Sequence, residues 1–310
     1  MFFPKVSAKE GWITVLASAG YLLLSALLIG FKVEQVILTV IFLSLYYLSV
    51  PTRKFVTAFS VFIVFWIVFD YMKAFPNYNY NPVHTGSLYE LDKGLFGTYA
   101  ADGSLISLNE YWALHHTTAL DIFTGFAYLC WMPVPLGFGV YLFYKKRPGF
   151  LPFALTFLFV NLLGFVGYYL YPAAPPWYIQ QYGFDVHLHT PGSTAGLSRF
   201  DSYFHVGIFR ALYTQGSNVF AAMPSLHSAY PLVTLYYGIR NRVGWLNGFL
   251  LLVTVGIWFA AVYTSHHYVL DVGAGIICAL TGILIFEQGL MRMGWFRRFL
   301  GGYQELVRKN

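Results

Sequence analysis

Eight apolar runs divide the chain, at about 12–30, 34–50, 55–73, 118–143, 150–171, 222–239, 244–263 and 266–288. Each approaches the roughly 20 residues that an α-helix needs to cross a bilayer. The pattern predicts an all-α fold, a polytopic membrane helix bundle of about eight transmembrane helices. The sixth run is the shortest and holds Pro231, so a kink is predicted there. Two polar segments rich in Tyr, Gly, Asn and His interrupt the series. They predict one membrane domain over 1–310, with three N-terminal helices in 1–75, an extracytoplasmic loop at 76–117, and a helix core at 118–290 that includes loop 172–221. Within the loops, 105–112 and 203–213 have the aromatic-aliphatic mix of short amphipathic helices lying on the membrane face.

Composition narrows the class. Hydrophobic residues make up 57% of the 310, and charged residues only 10%, which excludes an ordinary soluble domain. The net charge of +6 is placed by the loops and does not call for a nucleic-acid partner. With alternating spans, fourteen Lys and Arg, Lys5 and Lys309 among them, fall on the side of the N-terminus. Only Lys32, Lys73, Lys93, Arg199 and Arg210 fall on the other. Cytoplasmic loops carry the excess of basic residues, so both termini are predicted to be cytoplasmic and both long loops to face the opposite side. The first run is too long for a signal-peptide core and reads as a retained helix. Cys130 and Cys278 lie inside apolar runs, and no Cys or His cluster has zinc spacing, so neither a metal nor a cofactor is predicted.

The chemistry concentrates in two places. Ala260 to Asp271 reads Ala-Ala-Val-Tyr-Thr-Ser-His-His-Tyr-Val-Leu-Asp and opens the last apolar run. His267 and Asp271 are four apart, so on a helix they share one face. A carboxylate one turn away accepts the proton of one imidazole nitrogen and leaves the other free to attack. Forty residues upstream, Met223-Pro224-Ser225-Leu226-His227-Ser228 opens the sixth run on the same predicted membrane face. The two stretches read as halves of one site, with His267 as nucleophile, Asp271 as its orienter and His227 as acid and base. A lone His-x-x-x-Asp also reads as two buried polar groups satisfying each other. Within a membrane, ionisable residues are costly and tend to be functional.

Pro224-Ser225-Leu226-His227 and His267-x-x-x-Asp271 resemble the second and third signatures of the type 2 phosphatidic acid phosphatase superfamily. The variants Pro-Ser-Leu-His-Ser and His-His-Tyr-x-x-Asp, with Tyr171 to Trp177, look most like its inositol phosphorylceramide synthase branch. The resemblance implies that the downstream His attacks phosphorus and the upstream His protonates the leaving alcohol. Two departures stand out. Ala260 and Ala261 occupy the place of the superfamily's Ser-Arg pair, and Phe165 to Trp177 holds no cation where its first signature lies. A phosphorus transition state still calls for positive charge around its oxygens. Arg199 and Arg210, in the loop leading to His227, are the candidates, and each also reads as an interfacial contact to lipid headgroups. Asn218 and Ser225 read as donors to phosphate, Asn218 equally as a helix cap. Asp201 reads as a partner of Arg199 or an acceptor from an inositol hydroxyl. His266 reads as packing or as a second substrate contact. His115, His116 and Asp121 read as headgroup ligands or as a buried polar network. Gly273 and Gly275 read as permitting close helix packing.

The resemblance implies a membrane lipid phosphotransferase that moves a phospho-headgroup from a phosphatidylinositol-like donor to a ceramide-like acceptor through a phosphohistidine. The second reading is a lipid phosphatase or diphosphatase, in which water is the acceptor. Exclusion of water separates the two. A transporter is the third reading; it predicts polar residues at mid-membrane depth and repeated halves, and the sequence offers neither clearly. The site is expected on the non-cytoplasmic face, the periplasmic side of a bacterial inner membrane or a Golgi lumen.

Overall fold

The computed structural model describes residues 7–214 and 218–309. Lys5 of the charge count therefore lies outside the described residues. The chain forms two compact units, Met1–Phe75 with Glu287–Asn310, and Pro76–Phe286.

The first unit holds α1 (Ala8–Ile29), α2 (Val33–Leu48), α3 (Val50–Tyr71) and a C-terminal helix, Gly294–Lys309. Ser7 caps α1 through the N–H of Glu10, and Glu10 returns the bond to the Ser7 backbone. Ser49 caps α3 in the same way with Thr52. The C-terminal helix buries Phe296 and Leu300, and Tyr303 donates its hydroxyl to the Thr57 carbonyl of α3.

The second unit carries α4 (Gly86–Phe96), α5 (Leu108–Leu114), α6 (Thr118–Leu129), α7 (Pro133–Tyr144), α8 (Phe150–Leu170), α9 (Pro176–Tyr182), α10 (Ser198–Phe204), α11 (Ile208–Thr214), α12 (Leu226–Arg240), α13 (Leu246–Tyr263) and α14 (Val269–Leu284). Its only strands among the described residues form a two-residue hairpin, Thr98–Tyr99 with Leu105–Ile106. Two pairs of polar side chains meet across its buried helix contacts, where apolar surroundings favour such pairing. Thr156 of α8 pairs with Tyr237 of α12 at 2.7 Å, and Tyr230 donates to Asn161 at 2.7 Å.

Every apolar run is helical, and the all-α reading holds. Five helical stretches are long and apolar enough to cross a membrane: α1, Val50–Ala74 (α3 and the turn after it), α8, α13 and Val269–Arg292 (α14 and the turns that prolong it). They are six if α6 and α7, bent by 45° at their break, form one span. At 16 and 15 residues, α2 and α12 sit at two predicted spans but fall short of the usual length. Pro231 lies inside α12, which continues through it. The predicted helix at 203–213 is two helices instead. His205 takes a left-handed φ of 54° and ends α10. Asp201 then accepts from the N–H groups of Phe209 and Arg210 and starts α11 afresh. The predicted helix at 105–112 begins as a strand and turns helical only at Leu108.

Two glycines set how closely the site's elements approach. A Cβ on Gly275 of α14 would lie 2.1 Å from the Ser225 carbonyl oxygen, and one on Gly167 of α8 would lie 2.6 Å from the Pro224 ring. Glycine is needed at both, because the segment entering α12 lies directly against these helices. Gly273 meets nothing within 4 Å.

Candidate active site

Ser225 is the N-cap of α12 and accepts from the Ser228 N–H at 3.4 Å, which places His227 in the first turn. The Ser225 N–H donates to the Asp271 carbonyl at 2.9 Å, so the two motifs are joined by their backbones. α13 ends at Tyr263, and Ser265 turns the chain with a φ of 60°. The His267 N–H then bonds back to the Ala261 carbonyl. Asn109 of α5 donates to the carbonyls of Val262 and His267, at 2.8 and 3.0 Å, and clamps this turn from outside.

His267 therefore precedes α14, a correction to the expectation that it shares a helical face with Asp271. Asp271 is the third residue of that helix and accepts from the Tyr268 N–H at 2.8 Å. Its Oδ2 lies 3.6 Å from His267 Nδ1, within ion-pair contact and just beyond a hydrogen bond. On the other side of the ring, His267 Nε2 is 3.2 Å from His227 Nδ1. His267 is 5% exposed and Asp271 is fully buried. The rings of Tyr128 and Trp131 lie 5.1 and 4.9 Å from that of His227.

The remaining predicted residues take other positions. Arg199 does not pair with Asp201; its Nε bonds Asp121 Oδ1 at 2.6 Å. Tyr263 donates to the same oxygen at 2.8 Å, and His116 Nδ1 stands 3.3 Å from Asp121 Oδ2. This is the polar-network alternative for His116 and Asp121, and Arg199 Nη2 is left without a hydrogen-bond partner. His115 stacks on Tyr111 and is exposed. Asp201 gives both oxygens to the start of α11. Arg210 lines a cavity of about 580 Å³ with Ser193, Gln181 and Tyr213. Asn218 accepts from the Phe220 N–H. His266 is buried, bonds Thr264 through Nδ1 at 3.0 Å, and packs on Tyr213 and Tyr128. Among the described residues no cluster of three or more His, Cys, Asp or Glu is arranged to hold a metal ion.

Sequence reasoning missed Asn109 and Asp92. Asp92 of α4 is fully buried and accepts from the Leu270 N–H at 2.9 Å, fixing the start of α14. Burial pushes its carboxyl up to about 6; the Leu270 N–H pulls it down and the Asp271 charge adds to the rise. Neither residue carries a local signal, because each partner lies more than 150 residues away.

Two imidazoles nitrogen to nitrogen, His267 buried and His227 half-buried, backed by a carboxylate, are the groups that nucleophilic catalysis with an acid–base partner requires. The PAP2 superfamily matches residues 100–285, and the chain belongs to that superfamily. It is 46% identical over 304 residues to the phosphoinositol dihydroceramide synthase of Bacteroides thetaiotaomicron, covering 97% of this chain and 99% of the relative. It is 28% identical over 253 residues to the inositol phosphorylceramide synthase catalytic subunit aur1 of Schizosaccharomyces pombe, covering 78% of this chain and 56% of that protein. Inositolphosphotransferase 1 of Saccharomyces cerevisiae is 30% identical over 145 residues, 43% of this chain and 28% of its own. The chain thus spans about half the fission-yeast relative and a smaller share of the budding-yeast one. No solved structure matches it.

Proposed function

We propose that this integral membrane protein transfers inositol phosphate from phosphatidylinositol to the primary hydroxyl of a ceramide-like acceptor and releases diacylglycerol. The observation that carries the two-histidine chemistry is the 3.2 Å contact between His227 Nδ1 and His267 Nε2, while the choice of donor and acceptor rests on the likeness to the phosphoinositol dihydroceramide synthase. A neutral imidazole has one donor nitrogen and one acceptor. With Asp271 behind Nδ1 of His267, that nitrogen keeps its proton and Nε2 keeps its lone pair. The shared contact then puts a proton on His227 Nδ1. Attack calls for this lone pair on the nucleophile and for a second proton on His227 Nε2, because the acid that protonates the leaving oxygen is imidazolium, which becomes neutral imidazole as it gives its proton up. A phosphate group does not fit within 3.2 Å, so the rings part when the donor enters.

In the first step His267 Nε2 bonds to phosphorus, the bond to the diacylglycerol oxygen breaks, and that oxygen takes the His227 proton. In the second, the acceptor hydroxyl bonds to phosphorus, His227 takes its proton, and the N–P bond breaks. Arg199, with its unpartnered Nη2, and Arg210 supply positive charge to the phosphate oxygens. Ser225 accepts from Ser228 and leaves its own O–H to donate; Asn218 and His266 complete the donors at the headgroup. Asp201 acts by fixing α11, and so Arg210. Burial of His267 and Asp271 supports transfer over hydrolysis, because water is kept from the phosphohistidine. The test is to incubate purified protein with phosphatidylinositol and ceramide. Diacylglycerol should appear with an equal amount of an inositol-containing sphingolipid. Free inositol phosphate in its place would make the protein a hydrolase.

Asp271 touches no substrate in this scheme and is a positioning residue. Asp271→Asn keeps the shape but permits the wrong His267 tautomer. Turnover should fall on the order of 10²–10³, less than the roughly 10⁴ of the serine protease case, because phosphate-binding donors share the work. The KM for donor should stay near wild type; a rise in KM with unchanged kcat would contradict the assignment.

The charge bias supports a site outside the cytoplasm. In a protein lacking Cys130 and Cys278, a cysteine at Gly192 should react with an impermeant thiol reagent in intact cells. One beside Asn241, at Arg240, should not. The reverse labelling would invert the orientation.

A further inference from the structure

A second cavity, of about 250 Å³, lies against the turn that carries His267. Tyr89 of α4, Ser107 and Glu110 at α5, Gln180 of α9, and Tyr268 line it, with Phe184 among its apolar members. Both of its walls are tied to that turn. α9 donates the Trp177 N–H to the Ser265 carbonyl and the Gln180 amide to Ser265 Oγ at 3.2 Å. α5 carries Glu110 into the cavity and, one residue earlier, the Asn109 amide that holds the His267 carbonyl.

We propose that this cavity binds the hydroxyl-rich ring of the donor headgroup, which rests on the inositol reading above. The lining mixes donors and acceptors. Glu110 accepts from the Tyr89 hydroxyl at 2.9 Å and from the Ser107 N–H at 2.7 Å, and its Oε1 retains a free lone pair. Tyr268 also lines the space, and its buried hydroxyl has no hydrogen-bond partner. Among the described residues no cation lines the space, so it is unsuited to the phosphate itself. A quaternary ammonium headgroup would use the carboxylate and the aromatic faces but leave the phenol and amide donors idle. A ring with a hydroxyl on every free carbon uses both kinds of group, and its size suits a cavity smaller than those that take drug-sized ligands.

The experiment has a binding arm and a turnover arm. Saturation-transfer NMR of free myo-inositol, with choline alongside as competitor, is recorded on the purified protein and on Glu110→Gln and Gln180→Ala. The inositol ring protons should be saturated by the wild type, and the signal should fall by about half or more in both variants. For turnover, the ratio of kcat/KM on phosphatidylinositol to that on a bis-nitrophenyl phosphodiester should fall at least about tenfold in Glu110→Gln, because a site that hydrogen-bonds a substrate hydroxyl discriminates through it. No saturation by the wild type, equal saturation in the variants, saturation of choline instead, or an unchanged ratio would each overturn the proposal. The binding arm needs no chemistry. If inositol binds through Glu110 but no sphingolipid forms, the transferase reading falls and the cavity assignment stands. If transfer proceeds and the ratio is unchanged, the cavity assignment falls alone.

Discussion

His227→Ala should lose about 10²–10⁴ in turnover on phosphatidylinositol and be partly rescued in the first step by a nitrophenyl phosphodiester, measured as the single-turnover burst of nitrophenol. The range is that of a missing general acid. Diacylglycerol departs as a poor alkoxide unless its oxygen is protonated, and His227 Nδ1, 3.2 Å from the attacking nitrogen, is placed to do so. Nitrophenolate leaves without a proton, so the substitution no longer matters for the first step. His227 is packed beside Tyr128 and Trp131, and a companion His227→Gln variant keeps most of the volume while still lacking the acid. Both variants should show the same rescue. Equal loss on both donors would mean that His227 serves the fold or the phosphate rather than the leaving group.

His267→Ala should behave differently in kind. It removes the atom that bonds to phosphorus, and no leaving group compensates for that. Turnover should fall by about 10⁴–10⁶, the scale on which removal of a nucleophile acts in serine hydrolases, on both donors alike. Donor affinity should change only slightly, because most of the binding groups proposed above, Arg199, Arg210, Glu110 and Gln180 among them, lie on other elements. Rescue of this variant by the nitrophenyl donor would reverse the roles of the two histidines.

The parts of this site that were legible in the sequence are those with local signals. The apolar runs report helices because a bilayer demands a long uninterrupted stretch. The Pro-Ser-Leu-His and His-x-x-x-Asp motifs carry their spacing with them, and the close approach of Gly275 to Ser225 agrees with a small residue in a tightly packed helix. The place of His267 was not legible. Thr264-Ser265-His266-His267 holds neither Gly nor Pro, so nothing marked the break that the left-handed Ser265 makes. The partner of Arg199 was also missed. Asp201 is two residues away in sequence, but its carboxylate is taken by the start of α11, while Asp121, 78 residues distant, meets the guanidinium. Such pairings are fixed by the tertiary fold, and a single chain carries no trace of them. The same holds for Asn109 and Asp92, whose partners in the turn and at the head of α14 are set by how α4 and α5 pack.

The most direct measurement is mass spectrometry of the protein quenched within one turnover after mixing with phosphatidylinositol and no acceptor. The account predicts that the peptide holding His267 gains the mass of inositol phosphate less water, that ceramide added before the quench removes it, and that His267→Ala never acquires it. An adduct on the peptide holding His227, or turnover that proceeds with no adduct on any histidine, would contradict it.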